Sequence, residues 1–297
     1  MYFKTARGMK QLFIISKESR AARFGIGTYI RQLIECFDLS LWCIHVVELN
    51  ASVEGYVYKE EDGVFYSKIS LPVYVNEWDL EKERLYYRGV FYWLASLIPD
   101  DREVFCHFNF ARDYELARLL KQRLKATIIF TLHYMDWSFD LLGDYKRFLS
   151  ILSKPFSEEE EKIVTRFKAE RKFMVDCCDF IITVSRNSYL LLQTLYGIPS
   201  SKLVYIPHAL KDGYVEKSRE ESKRIRDKYL FDKNEKLILY VGRLSKEKGL
   251  IELIEAFKRL RRECKDVRLI VAGSGDFGKY LTYSNPCWTQ IIFMGLL

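Results

Sequence analysis

Leu237-Ile238-Leu239-Tyr240-Val241-Gly242-Arg243-Leu244-Ser245-Lys246-Glu247-Lys248-Gly249 begins as an apolar run, passes through a charged loop and ends on glycine. The pattern predicts a buried strand over 237–241, then a loop, then a helix in which Leu250, Leu253, Ile254, Phe257 and Leu260 share one face. A second apolar run, Val267-Arg268-Leu269-Ile270-Val271-Ala272, follows at the interval a crossover needs and stops at Gly273-Ser274-Gly275-Asp276. This is a βαβ unit, and it puts Arg243 and Lys248 where a strand passes into a helix. Unpaired N–H groups and the helix dipole attract anions there, so the loop suits a diphosphate. For an arbitrary loop of this kind, the alternative is a pair of solvated cations beside Glu247.

Composition sets the frame around this unit. A chain of 297 residues that is 49% hydrophobic can bury two cores, since single cores stop growing at about 250 to 300 residues. The 47 Lys and Arg exceed the 40 Asp and Glu by seven, and both signs mix along most helices. That argues against nucleic acid as a partner and suits an anionic ligand or a lipid surface. Seven cysteines lack both metal-ligand spacing and a disulfide framework, which predicts free thiols and a reducing compartment. The longest apolar run, 89–98, falls short of the ~20 residues a spanning helix requires, and no signal core precedes it. A cytoplasmic protein, attached at most to the inner face of a membrane, is expected.

Upstream, the same rhythm recurs. Strands are predicted over 11–16, 42–49, 104–108, 127–132, 180–184 and 203–206, and helices over 28–37, 80–97, 113–124, 157–175 and 187–195. Alternating runs at 53–58 and 64–69 flank Glu61-Asp62-Gly63 and read as an inserted hairpin. Pro207 to Asp212 is the expected crossing between lobes, and a basic helix over 218–229 leads into the second. The fold class is therefore α/β, with parallel doubly wound sheets and ligands at the carboxyl ends of their strands.

The run 238–249, with Leu253-Ile254-Glu255-Ala256-Phe257 and Leu269-Ile270-Val271-Ala272-Gly273-Ser274-Gly275 behind it, closely resembles the retaining GT-B glycosyltransferases of group 1, also called family 4. The likeness extends less strongly to Gly25-Ile26-Gly27-Thr28-Tyr29, Thr131-Leu132-His133, 180–185 and Val204-Tyr205-Ile206-Pro207-His208. The resemblance implies two Rossmann-like lobes with a cleft between them: an acceptor-binding lobe over 1–208 and a nucleotide-sugar-binding lobe over 209–297. It implies a nucleoside diphosphate sugar as donor substrate and no cofactor. Arg243 and Lys248 match the positions that neutralise the departing diphosphate, a role that requires no metal; the chain also contains no Asp-x-Asp. Glycines Gly25, Gly27, Gly242, Gly273 and Gly295 match places where backbone approaches the donor.

Two upstream features carry open readings. Gly25 to Thr28, placed between the first strand and the first helix, is either a phosphate-contacting loop or a plain turn capped by Thr28. His133, at the end of a strand, is either structural or, as the resemblance implies, a contact to the transferred sugar or acceptor hydroxyl. Tyr134, Asp136 and Trp137 would add a stacking face and a hydroxyl acceptor, and Arg186 would face the cleft. The aromatic stretch 85–93 reads as a core-facing helix with a wet edge or as a lipid contact.

Departures qualify the likeness. His208-Ala209 replaces the Asn-Gly usual after the interlobe proline, and the family continues beyond Gly295 with a glutamate pair that grips the donor. The chain is thus expected to be truncated, with an exposed apolar face on its second sheet. The implied function is sugar transfer to a saccharide or lipid-linked acceptor in bacterial cell-surface polysaccharide assembly. A non-catalytic remnant or partner subunit is the first rival. A nucleotide-dependent oxidoreductase would require GxGxxG spacing, which the Gly25 segment lacks, and a nucleic-acid binder would require a basic stripe.

Overall fold

The computed structural model describes residues 9–19, 25–71, 80–99, 102–209 and 215–296. They form two compact units, residues 1–211 and 212–297. Of the expected crossing at 207–212, residues 210–212 lie outside the described residues.

The first unit is built on one eight-stranded sheet. Its strands are β1 (Lys10–Lys17), β2 (Trp42–Ala51), β3 (Tyr56–Glu61), β4 (Val64–Ser70), β5 (Val104–Phe108), β6 (Thr127–Leu132), β7 (Phe180–Thr183) and β8 (Leu203–Tyr205), in the order β3-β4-β2-β1-β5-β6-β7-β8. All neighbours are parallel except β3 with β4. Central β1 buries Leu12 to Ile15 at 2% exposure or less, as a strand covered on both faces must. The predicted hairpin turns at Asp62 and Gly63, both at positive φ (52° and 75°). A two-residue loop of that kind matches the twist of the strands it joins, and Asp-Gly tolerates it. The hairpin is not a separate insertion: β4 pairs in parallel with β2 and extends the main sheet.

Helices α1 (Gly25–Ile34), α2 (Leu80–Leu97), α3 (Tyr114–Leu124), α4 (Asp136–Asp140), α5 (Tyr145–Ser153), α6 (Glu158–Asp176) and α7 (Arg186–Thr194) complete the unit. Helix α1 covers one face through Ile26 and Ile30 against Leu12, Ile14 and Ile44. The other face packs on α2, α3 and α6, where Phe173 meets Phe108 and Phe130 edge-on at 5.7 and 5.3 Å. Ser157 and Ser185 cap α6 and α7, each hydroxyl accepting from a backbone N–H three residues on.

Two expectations are corrected. Helix α1 begins at Gly25, so Gly25 and Gly27 lie in its first turn rather than in a loop, and Thr28 is not its cap. The apolar stripe Ile26, Tyr29, Ile30 and Leu33 extends the core-facing surface that far. Second, Trp137 is only 4% exposed and stacks on Phe148 at 4.3 Å, so it belongs to the core and offers no stacking face to a ligand. The segment after β6, to which the sequence assigns no element, forms α4 and α5.

The second unit holds β9 (Lys236–Val241), β10 (Val267–Ala272) and β11 (Ile291–Gly295), parallel in the order β11-β10-β9, with helices α8 (Arg219–Lys228), α9 (Leu250–Glu263) and α10 (Phe277–Tyr283). Leu250, Ile254 and Phe257 of α9 pack against Leu269, Val271 and Ile291. On the opposite face Leu239 and Val241 are 62% and 73% exposed, so β9 is covered on one face only, a correction to the buried strand that its apolar run predicts. All seven cysteines are free, and among the described residues no helix is long and apolar enough to cross a membrane.

Candidate functional site

In the second unit the three strands end on three glycines that lie side by side. Gly242 N donates to Ala272 O at 3.0 Å and Gly273 N to Gly295 O at 2.7 Å. Leu244 N then donates to Ser274 O, so the loops after β9 and β10 stay paired beyond the sheet. A Cβ on Gly273, at φ 149°, would stand 1.8 Å from the Gly242 carbonyl oxygen. Only glycine fits so close an approach. The structure thus brings Gly242, Gly273 and Gly295 to one edge, while Gly25 and Gly27 sit on a helix of the other unit.

Arg243 and Lys248 both rise from the exposed loop at that edge. Neither is ion-paired to another described residue, and the Tyr240 hydroxyl fixes the loop by donating to Arg243 O at 2.6 Å. Gly249, left-handed at φ 67°, starts α9 with no side-chain cap. The first N–H groups of α9 therefore have no capping side chain, and the exposed Arg243 and Lys248 precede them in the chain. Such a place attracts a phosphate.

In the first unit the carboxyl edge gathers side chains instead. Asn109, following β5, is 2% exposed, and its Nδ2 donates to Ile15 O at 3.3 Å. That leaves Asn109 Oδ1 to accept from His133 Nε2 at 2.9 Å, which makes Nε2 the protonated nitrogen of His133. Nδ1 then keeps its lone pair and has no partner among the described residues. Burial, with His208 and His107 nearby, lowers the His133 pKa to about 3, so the ring is neutral at physiological pH and acts as a hydrogen-bond acceptor. Beneath it, His107 Nε2 and the Tyr29 hydroxyl meet Thr131 Oγ1 at 2.7 and 3.1 Å. The Tyr29 ring packs edge-on against His133 and His208 at 4.9 and 5.6 Å.

A cavity of about 430 Å³ opens beside His133, lined among others by Phe110, Arg112, Tyr134, Asp136 and Glu170. Arg112 grips Asp136 through Nε and Nη2 at 3.1 and 2.6 Å, so Asp136 is an ion-pair partner there. Burial pushes the Glu170 carboxyl up to about 7, although the Tyr196 hydroxyl donates to it at 2.6 Å. Arg186 is exposed and lies over the Tyr205 ring at 5.9 Å. Among the described residues no three His, Cys, Asp or Glu converge as metal ligands.

Sequence reading missed Asn109, His107, Thr131 and Tyr29. A signal existed for two of them: His107 and Thr131 are polar residues inside apolar strands buried on both faces, where a polar group requires a partner. The partners lie 24 and 102 residues away from Thr131, and no local pattern connects them.

The parallel α/β units define the GT-B fold, and solved glycosyltransferases share it. Anabaena Alr3699/HepE in complex with UDP and glucose superposes with a TM-score of 0.65 at 12% identity, covering 97% of this chain and 70% of that one. WaaG, a glycosyltransferase involved in lipopolysaccharide biosynthesis, gives 0.62 at 14% identity with the same coverage. Residues 221–286, which hold the Arg243 loop, α9 and β10, match the family model described as "Glycosyl transferases group 1". The uncharacterized glycosyltransferase MJ1607 of Methanocaldococcus jannaschii is 30% identical over 122 residues, 39% of this chain. That stretch spans 31% of the relative's length.

Proposed function

We propose that the protein is a retaining group 1, family 4 glycosyltransferase that moves a hexosyl unit from a nucleoside diphosphate sugar to a saccharide or lipid-linked acceptor. The observation that carries the reading is the unpaired Arg243 and Lys248 beside the glycine-lined edge, within the segment matched by the group 1 model. In the reaction the anomeric C–O bond to the β-phosphate breaks, an acceptor oxygen bonds to that carbon, and the hydroxyl proton is released. Arg243 and Lys248 stabilise the negative charge that builds on the diphosphate as this bond breaks in the transition state. These cations serve where other enzymes use a metal. Gly242, Gly273 and Gly295 let the backbone approach the nucleotide.

His133 accepts a hydroxyl proton of the sugar or acceptor in a hydrogen bond at Nδ1, held in register by Asn109. The acceptor occupies the cavity of the first unit. UDP bound to Alr3699/HepE and the part of WaaG in lipopolysaccharide biosynthesis support a nucleotide-sugar donor and a cell-surface setting. The test is release of UDP from UDP-hexoses in the presence of EDTA, with the product anomer read by NMR. Turnover with retained configuration, lost in Arg243→Ala, is expected; turnover undiminished in that variant would refute the assignment.

A further inference from the structure

Strand β9 sends its side chains to two faces. Leu239 and Val241 lie on the open one, while Ile238 and Tyr240 pack against the core cluster that includes Leu250, Ile254 and Phe257 of α9. The Tyr240 ring is therefore rooted in the core, and its tip reaches the loop beyond the strand. Partial burial and the neighbouring Tyr280 push the phenol above its usual pKa, against the pull of the Arg243 charge, so the hydroxyl keeps its proton and donates. Its acceptor is Arg243 O, at 2.6 Å.

The same carbonyl accepts from Ser245 N at 3.0 Å, while Gly242 N and Leu244 N donate to Ala272 O and Ser274 O, each at 3.0 Å. Residues 242–245 thus each have a backbone group held in place, and the direction in which Arg243 leaves the chain is set. Three of these four bonds run from backbone to backbone; the Tyr240 bond is the one a side-chain substitution removes.

Gly242 fits the same arrangement. A Cβ there would stand 3.2 Å from the Tyr240 hydroxyl oxygen and 3.4 and 3.6 Å from two carbons of its ring, the nearest atoms beyond its chain neighbours. The missing side chain leaves room for the phenol. An alanine methyl would press on the hydroxyl and drive it off Arg243 O, since the tip of a side chain yields more readily than backbone.

We propose that Tyr240 is a positioning residue for the diphosphate: by holding the Arg243 carbonyl it aims the guanidinium at the phosphate oxygens before the donor arrives, and Gly242 makes room for it. The inference rests on the transferase reading of Arg243 and adds to it a residue that itself touches no ligand. Its benefit is entropic, because a cation already in place loses less freedom on binding.

Titrations of UDP and of inorganic pyrophosphate into the full chain, read by calorimetry and for weak variants by phosphorus NMR, form a double-mutant cycle between Tyr240→Phe and Arg243→Ala. Tyr240→Phe keeps the ring and removes the donor. It is expected to weaken both probes about three- to tenfold, the range that one net hydrogen bond supports. In the Arg243→Ala background the same change should have no effect, because its route to the phosphate is gone; in the Lys248→Ala background it should keep its full effect. With pyrophosphate as the probe, Gly242→Ala should reproduce the Tyr240→Phe loss and add nothing on top of it.

Parental affinity in Tyr240→Phe overturns the proposal and leaves the donor assignment standing. Equal weakening with and without Arg243 also overturns it, since Tyr240 would then merely support the strand. A parent that binds pyrophosphate but not UDP loses the donor assignment and keeps the positioning role if the cycle closes as described. A parent that binds neither probe removes both.

Discussion

The two units place their candidate residues at the same end of a parallel sheet but hold them by opposite means. In the second, backbone does the holding: glycine abuts glycine, strand-end amides pair across the loops, and the two cations stand free in solvent. In the first, side chains do it: Asn109 orients His133, Thr131 joins His107 to Tyr29, and burial keeps the imidazoles neutral. An exposed, positively charged loop suits a mobile anion that must bind and leave. A buried, neutral, hydrogen-bonded edge suits the discrimination of hydroxyl groups, where an unmatched partner is costly.

That contrast breaks most readily at Gly273. Alanine there would place its methyl carbon 1.8 Å from a backbone oxygen, so β9 and β10 must separate. UDP binding is expected to fall more than a hundredfold, while the His133 to Asn109 hydrogen bond, followed by imidazole NMR, stays as in the parent. Parental UDP affinity in Gly273→Ala would mean that the close glycine contact is unnecessary.

A smaller effect sharpens the other side. Glu170 holds its proton more tightly folded than unfolded, with a pKa moved from 4.5 to about 7 mainly by burial. Its contribution to stability is therefore full below about pH 4.5 and is lost as pH rises through about 7, by roughly 3 kcal/mol in all. Glu170→Gln keeps an acceptor for Tyr196 and removes the titration. Urea unfolding at pH 5 and pH 8 should show a smaller loss of stability in the variant than in the parent; equal losses would place the titration elsewhere.

Much of the second unit was legible because its information is contiguous. Strand, loop and helix from Leu237 to Leu260 follow one another in sequence, and the apolar spacing of α9 reports its buried face directly. The first unit yielded its strands for the same reason, since β5 and β6 are unbroken apolar runs, and its hairpin because Asp62-Gly63 has few other uses. Its site was less legible. His133 was found as a strand-end histidine, but the partner that sets its protonated nitrogen lies on another strand end 24 residues away. Trp137 was misread because aromatic residues near a strand end look alike whether they face ligand or core; α4 and α5, which bury it, carry too short a periodicity to announce themselves. Gly25 and Gly27 misled in the other direction, since glycine in a first helical turn resembles a loop until the stripe through Ile26 and Ile30 is placed against β1.

Calorimetric titration of UDP into the parent chain, Arg243→Ala, Lys248→Ala and the double variant tests the central claim most directly. Each lost charge-assisted contact is worth about 1.5–3 kcal/mol, so each single variant should bind UDP about ten- to a hundredfold more weakly and the double variant more weakly still. UDP bound by the double variant as tightly as by the parent would contradict the account.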